Sequence, residues 1–227
     1  MTCEGDRLFS CHLRGEAYAA KRDWDRAIAD YTKVIELEPQ RTGAYINRGK
    51  AYSLKGDHDR AIADLTKAID LDPQDAATFV RRAEAFLWDG ELDRAIADFS
   101  RAIELDPTDA AFYNSRGNAF FHKGDHDPAI ADYTKAIELN PQFAGTYVAR
   151  GNAYCSNCNY DRAIADFNKD IELEPQNATA YNNLGNAHFL KKDYDQAWAD
   201  VKKCQELGGK INPEFLAELR KASGRNE

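Results

Sequence analysis

The chain has 227 residues, of which 30 are Lys or Arg and 38 are Asp or Glu, giving a formal net charge of −8 at pH 7. Because phosphate contacts need a basic surface, this charge argues against nucleic acid as the main ligand. Hydrophobic residues make up 43% of the sequence and charged residues 30%, as in a folded domain. No stretch reaches the roughly 18 consecutive apolar residues of a spanning helix, so no membrane association is expected.

The N-terminal residues lack the apolar segment of a secretory signal peptide. The five cysteines are an odd number, and they are too scattered to form a dense disulfide framework. Disulfides persist mainly in oxidising compartments, so a reduced, cytoplasmic chain is the expectation.

A period of 34 residues runs through the sequence. With Leu8 counted as position 1, residues 8–211 form six units of 34 residues. Such a period is typical of repeat proteins, in which each unit is one supersecondary element. The recurring residues are Pro39, Pro73, Pro107, Pro141 and Pro175; Gly15, Gly49, Gly117, Gly151 and Gly185; and Ala27, Ala61, Ala95, Ala129, Ala163 and Ala197.

Each unit is predicted to form two helices. In the second unit, small and aromatic residues recur at helical spacing over 45–52, and a second apolar stripe runs over 61–71. Gly56 tolerates the left-handed conformation that ends a helix, and Asp59 is expected to cap the next one. Pro73 then ends the unit. No stretch alternates polar and apolar residues, so the chain is predicted to be all-α.

Glycine inside a helix is unfavourable, so its return at position 8 indicates close packing. We expect it to face the alanine at position 20 of the paired helix, with aromatic residues at positions 4 and 24 filling the space beside that contact. Since one helix pair cannot bury both of its faces, successive pairs must stack into a solenoid.

This pattern resembles the tetratricopeptide repeat (TPR) family, with aromatic residues at positions 4, 11 and 24, Gly at 8, Ala at 20 and Pro at 32. The resemblance spans all six units and implies a right-handed α-solenoid of helix-turn-helix repeats. It divides the chain into an N-terminal extension (1–7), six repeats (8–41, 42–75, 76–109, 110–143, 144–177 and 178–211) and a C-terminal capping helix and tail (212–227).

The C-terminal segment is predicted to cover the last repeat. Asn212 is a suitable N-cap, and Pro213 suits the first helical position. Phe215 and Leu219 then lie on one apolar stripe. No equivalent cap is visible at the N-terminal end, so stacking of another copy there is the alternative use of the fold.

Arginine recurs at position 7 and aspartate at position 23, and we expect the two rows to meet between neighbouring helices. Bidentate, partly buried pairs would fix the register of the helices. Residues that recur in register in this way indicate architecture rather than an active site. The rows are Arg14, Arg48, Arg82, Arg116 and Arg150, and Asp30, Asp64, Asp98, Asp132, Asp166 and Asp200.

No catalytic residue, metal site or cofactor is predicted. Cys155 and Cys158 form a C-x-x-C pair without the further ligands of a zinc site, although an oxidant-dependent disulfide in this turn stays open. His122 and His126 are separated by the turn at Gly124 and do not share a helix face. Phosphate loops, nucleophile elbows and dinucleotide fingerprints are absent from the sequence.

In the family that this chain resembles, positions 2, 5, 6, 9, 12 and 13 of each first helix line a concave groove. A known subset of that family grips a C-terminal carboxylate through five of these positions. In this chain Asn47 and Arg81 match that pattern, whereas His12, Glu16 and Ala77 do not, so acidic-tail binding is not expected. The candidate peptide-binding residues are Asn47, Lys50, Arg81, Glu84, Trp88, Asn114, Asn118, Phe121, His122, Asn152, Asn182, Asn183, Asn186 and Phe189.

Three asparagines, Asn118, Asn152 and Asn186, stand at position 9 of successive repeats. Asparagine is a poor helix former, whereas its amide both donates and accepts hydrogen bonds, as peptide-backbone recognition requires. The alternative is that these amides only solvate a polar groove. The sequence therefore predicts a non-catalytic scaffold that binds a segment of a protein partner with about micromolar affinity. Self-assembly and an unrecognised enzymatic activity remain alternatives.

Overall fold

The computed structural model describes residues 3–225, and this part of the chain consists of thirteen α-helices joined by short turns, without strands. Within it, no helix combines the length and apolar character needed to cross a membrane. The helices are α1 (Cys3–Ala20), α2 (Trp24–Leu37), α3 (Thr42–Lys55), α4 (His58–Leu71), α5 (Ala76–Trp88), α6 (Leu92–Leu105), α7 (Ala110–Lys123), α8 (His126–Leu139), α9 (Ala144–Ser156), α10 (Tyr160–Leu173), α11 (Ala178–Lys191), α12 (Tyr194–Glu206) and α13 (Pro213–Ser223).

The chain divides into two compact units, and the division falls inside α7. The N-terminal unit ends at Phe112 and the C-terminal unit begins at Tyr113. In each unit, helices pair along the chain, and the second helix of one repeat also packs on the first helix of the next. The predicted all-α stack of helix pairs is therefore confirmed. Helix α1 begins at Cys3, inside the segment that the repeat pattern assigns to an extension.

The turns follow the predicted chemistry, with one correction. Gly56 adopts a left-handed conformation with φ +84° after α3, and α4 ends at Leu71, two residues before Pro73. The prediction that Asp59 caps α4 is wrong. Asp57 is the N-cap and accepts a hydrogen bond from the amide of Arg60 at 3.3 Å. The cap must precede the first helical residue, whereas Asp59 lies within the first turn.

The expected contact at position 8 is partly different from the observed one. A Cβ atom on Gly117 or Gly151 would lie 2.8 or 2.7 Å from a ring carbon of Tyr133 or Phe167, at position 24 of the paired helix. A Cβ atom on Gly49 would lie 3.0 Å from Cγ of Leu65, at position 24, and 3.3 Å from the carbonyl oxygen of Ala61, at position 20. In these repeats the glycine therefore makes room mainly for the side chain at position 24 and only secondarily for the alanine backbone.

The predicted arginine–aspartate contacts are confirmed in the first five repeats. Nε and Nη2 of Arg48 lie 2.7 Å from the two carboxylate oxygens of Asp64, and Arg150 holds Asp166 at 2.8 and 2.7 Å. The hydrogen bond to Asp166 raises the pKa of Arg150. The same two-point geometry occurs in the pairs Arg14–Asp30, Arg82–Asp98 and Arg116–Asp132.

A threonine hydroxyl from the preceding repeat completes several of these pairs. Nη1 of Arg48 donates to Oγ1 of Thr32 at 3.0 Å, and Nη1 of Arg150 donates to Oγ1 of Thr134 at 3.0 Å. Each of these arginines therefore ties its own repeat together and also contacts the repeat before it. We call such a Thr–Arg–Asp set a strut.

The sixth repeat replaces the strut with a different pair. Leu184 stands at the arginine position, and Nδ1 of His188 lies 2.6 Å from Oδ2 of Asp200. Both side chains of this pair are nearly buried, and burial raises the pKa of Asp200. The buried carboxylate thus keeps a partner, although that partner comes from a different position of the first helix.

The predicted C-terminal cap is also confirmed. The side chain of Asn212 accepts a hydrogen bond from the amide of Glu214 at 2.8 Å, and Pro213 begins α13. Phe215 and Leu219 are buried against α12 of the last repeat. This helix supplies the apolar cover that the end of such an array requires.

Candidate functional site

We define the groove face of each unit as the side chains at positions 2, 5, 6, 9, 12 and 13 of its first helices. In the N-terminal unit, this face contains an open cavity of about 370 Å³ between α1, α2 and α3. The predicted residues Asn47 and Lys50 line it, together with Glu16, Tyr31 and Leu54. Apolar walls with a few polar groups suit a side chain of a bound segment.

The remaining predicted residues of the N-terminal unit lie on α5. Trp88 is 77% exposed, and its ring stacks on His58 with a centroid distance of 6.0 Å and an interplanar angle of 7°. Arg81 is half-buried and Glu84 is exposed. This face therefore combines charged side chains with a large exposed aromatic ring.

Asn118, Asn152 and Asn186, which we call the asparagine row, stand on the groove face of the C-terminal unit. Asn118 on α7 is half-buried, whereas Asn152 on α9 and Asn186 on α11 are exposed. Each stands at the same position of its helix because the repeats have equal length. The row therefore presents one amide group per repeat.

Two asparagines of α7 are held by buried hydroxyl groups, and these contacts are missing from the sequence-based prediction. Tyr133 Oη donates to Oδ1 of Asn118 at 2.8 Å, and Thr146 Oγ1 donates to Oδ1 of Asn114 at 3.2 Å. Burial raises the pKa of Tyr133, so its hydroxyl stays protonated and able to donate. The sequence feature that could have predicted the contact with Asn118 is a tyrosine at position 24 in the same repeat as an asparagine at position 9.

The other predicted residues of this unit have different surroundings. Asn182 and Asn183 are half-buried on α11, and His122 is exposed at the end of α7. The ring of Phe121 lies 5.3 Å from that of His126. Phe189 packs edge-on against the capping-helix residue Phe215 at 5.4 Å, so part of its surface serves the core. The predicted binding residues are thus divided between the two units, and each unit has its own candidate surface.

The C-x-x-C turn formed by Cys155 and Cys158 does not favour nucleophilic chemistry. Burial, together with the nearby Cys158, raises the pKa of Cys155 to about 11, which disfavours the nucleophilic thiolate. Cys158 occupies the left-handed turn position with φ +57°, where Gly56 and Gly124 stand in other repeats. Over residues 3–225, no group of three or more His, Cys, Asp or Glu side chains is arranged to hold a metal ion.

The consecutive helix pairs of each unit define a helical-repeat protein. Sequence profiles of the tetratricopeptide repeat match residues 12–76, 110–143 and 178–207, and a TPR repeat profile matches 83–124 and 151–192. The chain belongs to the tetratricopeptide repeat family, a family of protein-interaction scaffolds.

Many solved structures are similar. The crystal structure of MamA protein has 31% sequence identity and a TM-score of 0.71, over 77% of this chain and 96% of its own. YrrB, a TPR protein with an unusual peptide-binding site, has 21% identity and a TM-score of 0.67, over 78% and 91% of the two chains. A TPR protein from Parabacteroides merdae has 17% identity and a TM-score of 0.80, over 96% and 88%. No curated protein sequence matches the chain.

Proposed function

We propose that this protein is a non-catalytic scaffold that holds an extended segment of a protein partner on the groove face of its C-terminal unit. The observation that carries the proposal is the asparagine row formed by Asn118, Asn152 and Asn186. Asparagine disfavours the helix that it occupies at these three positions, and the amides of Asn152 and Asn186 are exposed. Backbone groups of an extended peptide are suitable partners for such amides.

Two further observations support this proposal. The other predicted residues of this unit add amide groups beside the row on α7 and α11, at Asn114, Asn182 and Asn183. YrrB, whose fold is similar, has a peptide-binding site.

We extend the proposal to the N-terminal unit, where the cavity beside Asn47 and Lys50 offers a second place for a side chain of a partner. Arg81, Glu84 and Trp88 would supply charged and aromatic contacts on the same face. The proposal includes a reduced cytoplasmic location, as the odd and scattered set of five cysteines suggests.

The test is a quantitative pull-down with the full chain, its Asn118→Ala/Asn152→Ala/Asn186→Ala variant and an Asn168→Ala control. Asn168 is exposed on the second helix of the fifth repeat, outside the groove face. Partners retained by the wild type and the control but lost by the triple variant are then mapped with overlapping synthetic peptides. We expect micromolar binding of one peptide and at least a tenfold loss in the triple variant, about 1.4 kcal/mol. Identical partner lists for all three proteins, with equal melting, would refute the proposal.

Self-assembly through the N-terminal repeat is the second candidate. The observation that favours it is the exposure of Phe9 and Leu13 on α1, 62% and 47% respectively, at groove-face positions 2 and 6 of the first repeat. If copies associate there, sedimentation equilibrium should show a dimer that a Phe9→Ser/Leu13→Ser variant abolishes. A monomer at every accessible concentration would exclude this role.

A further inference from the structure

We infer that Tyr133 is a positioning residue that fixes Asn118 as a hydrogen-bond donor, and that the C-terminal unit consequently selects an uncharged, extended peptide segment by its backbone carbonyl groups. This inference rests on the proposed function. It adds the direction of the hydrogen bond and the chemical class of the bound segment.

The first step concerns the hydroxyl of Tyr133. The residue is 1% exposed, and its Oη lies 2.8 Å from Oδ1 of Asn118. A buried O–H group that makes no hydrogen bond is costly, so the phenol must donate to this oxygen. This bond orients the amide of Asn118 with its oxygen toward Tyr133, and its NH₂ group supplies the donors that a ligand can meet. A ligand group that meets this NH₂ must be an acceptor.

The same arrangement occurs at a second amide of α7. Thr146 is 2% exposed, and its hydroxyl donates to Oδ1 of Asn114 at 3.2 Å. Both asparagines that α7 contributes to this groove face thus have their oxygens engaged by buried hydroxyls. The carbonyl groups of a peptide backbone are acceptors whatever side chains the peptide carries, and they match this donor surface.

The second step concerns charge. In the C-terminal unit, the groove-face positions carry no Asp, Glu, Lys or Arg, although 30% of the whole chain is charged. The N-terminal unit differs, because Glu16, Lys50, Arg81 and Glu84 stand at its groove-face positions. A charged ligand side chain docked on the C-terminal unit would lose water without gaining a charged partner, which is unfavourable. An uncharged segment avoids this cost.

The third step compares repeats. In the first repeat, Tyr31 at position 24 and Glu16 at position 9 line the same cavity, and burial, followed by the charge of Glu16, raises the pKa of Tyr31. In the fifth repeat, position 24 is Phe167, which has no hydroxyl to orient Asn152. The fourth and fifth repeats therefore form a matched pair with and without the positioning group.

The experiment uses the full chain and a phage-displayed library of random twelve-residue peptides. Peptides enriched on the wild type over the triple asparagine variant are synthesised with blocked ends, and their affinities are measured by fluorescence anisotropy. We expect sequences depleted in Asp, Glu, Lys and Arg. Tyr133→Phe should weaken binding about threefold to tenfold, the size of one net hydrogen bond.

Two further variants separate positioning from structure. Phe167→Tyr should strengthen binding, since its hydroxyl would orient Asn152 as Tyr133 orients Asn118. Asn118→Asp keeps an acceptor for Tyr133 but removes the donors, so it should lose as much affinity as Asn118→Ala. Phe already occupies position 24 in the third and fifth repeats, so Tyr133→Phe should fold and lose only the small stability contributed by one hydrogen bond.

Each outcome bears on a different statement. If no peptide is enriched, the proposed function fails and this inference fails with it. If peptides bind but Tyr133→Phe or Asn118→Asp binds like the wild type, the donor assignment is overturned while the proposed function stands. Enrichment of strongly charged peptides would overturn the ligand class.

Discussion

Asp170 is a buried carboxylate in a place where other repeats have small side chains. It stands at position 27 of the fifth repeat, where Ala68, Ala102 and Ala136 occupy the equivalent sites and are also buried. Asp170 is 1% exposed, and within residues 3–225 its Oδ2 atom has no hydrogen-bond partner. Burial raises the pKa of this group from 3.8 to about 6. We predict that Asp170→Ala stabilises the protein at neutral pH.

The size and the sign of the stability change in Asp170→Ala follow from the raised pKa of Asp170. The folded state holds the Asp170 proton more tightly than the unfolded state, so the stability that this group contributes is fully present below pH 3.8 and is lost as the pH rises through about 6. A shift of about two units corresponds to about 3 kcal/mol at complete ionisation. Asp170→Ala should therefore gain about 2–3 kcal/mol at neutral pH and much less near pH 4, because an alanine carries no charge to desolvate.

Urea denaturation of the full chain at several pH values measures this gain, with hydrogen exchange in α10 and α11 reporting the local effect. Asp170→Asn is the matched variant, because it keeps the shape and polarity but removes the charge. It should recover most of the gain at neutral pH. Two results would refute this account. One is an Asp170→Ala protein that is no more stable than the wild type at neutral pH, and the other is a free energy of unfolding that falls as much between pH 4 and 6 in Asp170→Ala as in the wild type.

Two other predictions concern the strut and the cysteine turn. Arg150→Met should destabilise the protein by about 3 kcal/mol, because it leaves the buried Asp166 carboxylate unpaired, and Arg14→Met should cost less because Arg14 is 48% exposed against 16% for Arg150. Equal melting temperatures for Arg150→Met and the wild type would contradict this ranking. Cys158→Gly should stabilise the protein by up to about 1 kcal/mol, because glycine adopts φ +57° without strain. Thermal denaturation under reducing conditions measures this effect, with Ala165→Gly, at an exposed position in the interior of α10, as a control expected to lose stability.

Much of the fold could be predicted from the sequence because its causes are local and recur in every unit. Glycine at a left-handed turn, proline after a helix and an apolar stripe are each visible within one repeat. The cap was misplaced because Asp57 and Asp59 both lie near the start of α4, and only the helix boundary distinguishes a cap from a first-turn residue.

The less predictable features depend on how far a side chain reaches between helices. The bond from Tyr133 to Asn118 and the replacement of arginine by His188 as the partner of Asp200 join residues on different helices. Neither follows from helix periodicity. The burial of Asp170 could be suspected from the alanines at its position, but the repeat pattern alone does not show whether a carboxylate there finds a partner.

The struts also determine where an array of this kind can change its length. Thr32 contacts Arg48, and Thr66 in the next repeat contacts Arg82 at the same distance of 3.0 Å. A duplicated copy of residues 42–75 would bring its own arginine and threonine and reproduce both junctions unchanged. At the junction before the sixth repeat, Asn168 replaces the threonine and Leu184 replaces the arginine. The second repeat and the sixth repeat are therefore not interchangeable. Duplication of the second repeat therefore preserves its junctions, whereas the sixth repeat makes a junction of a different kind.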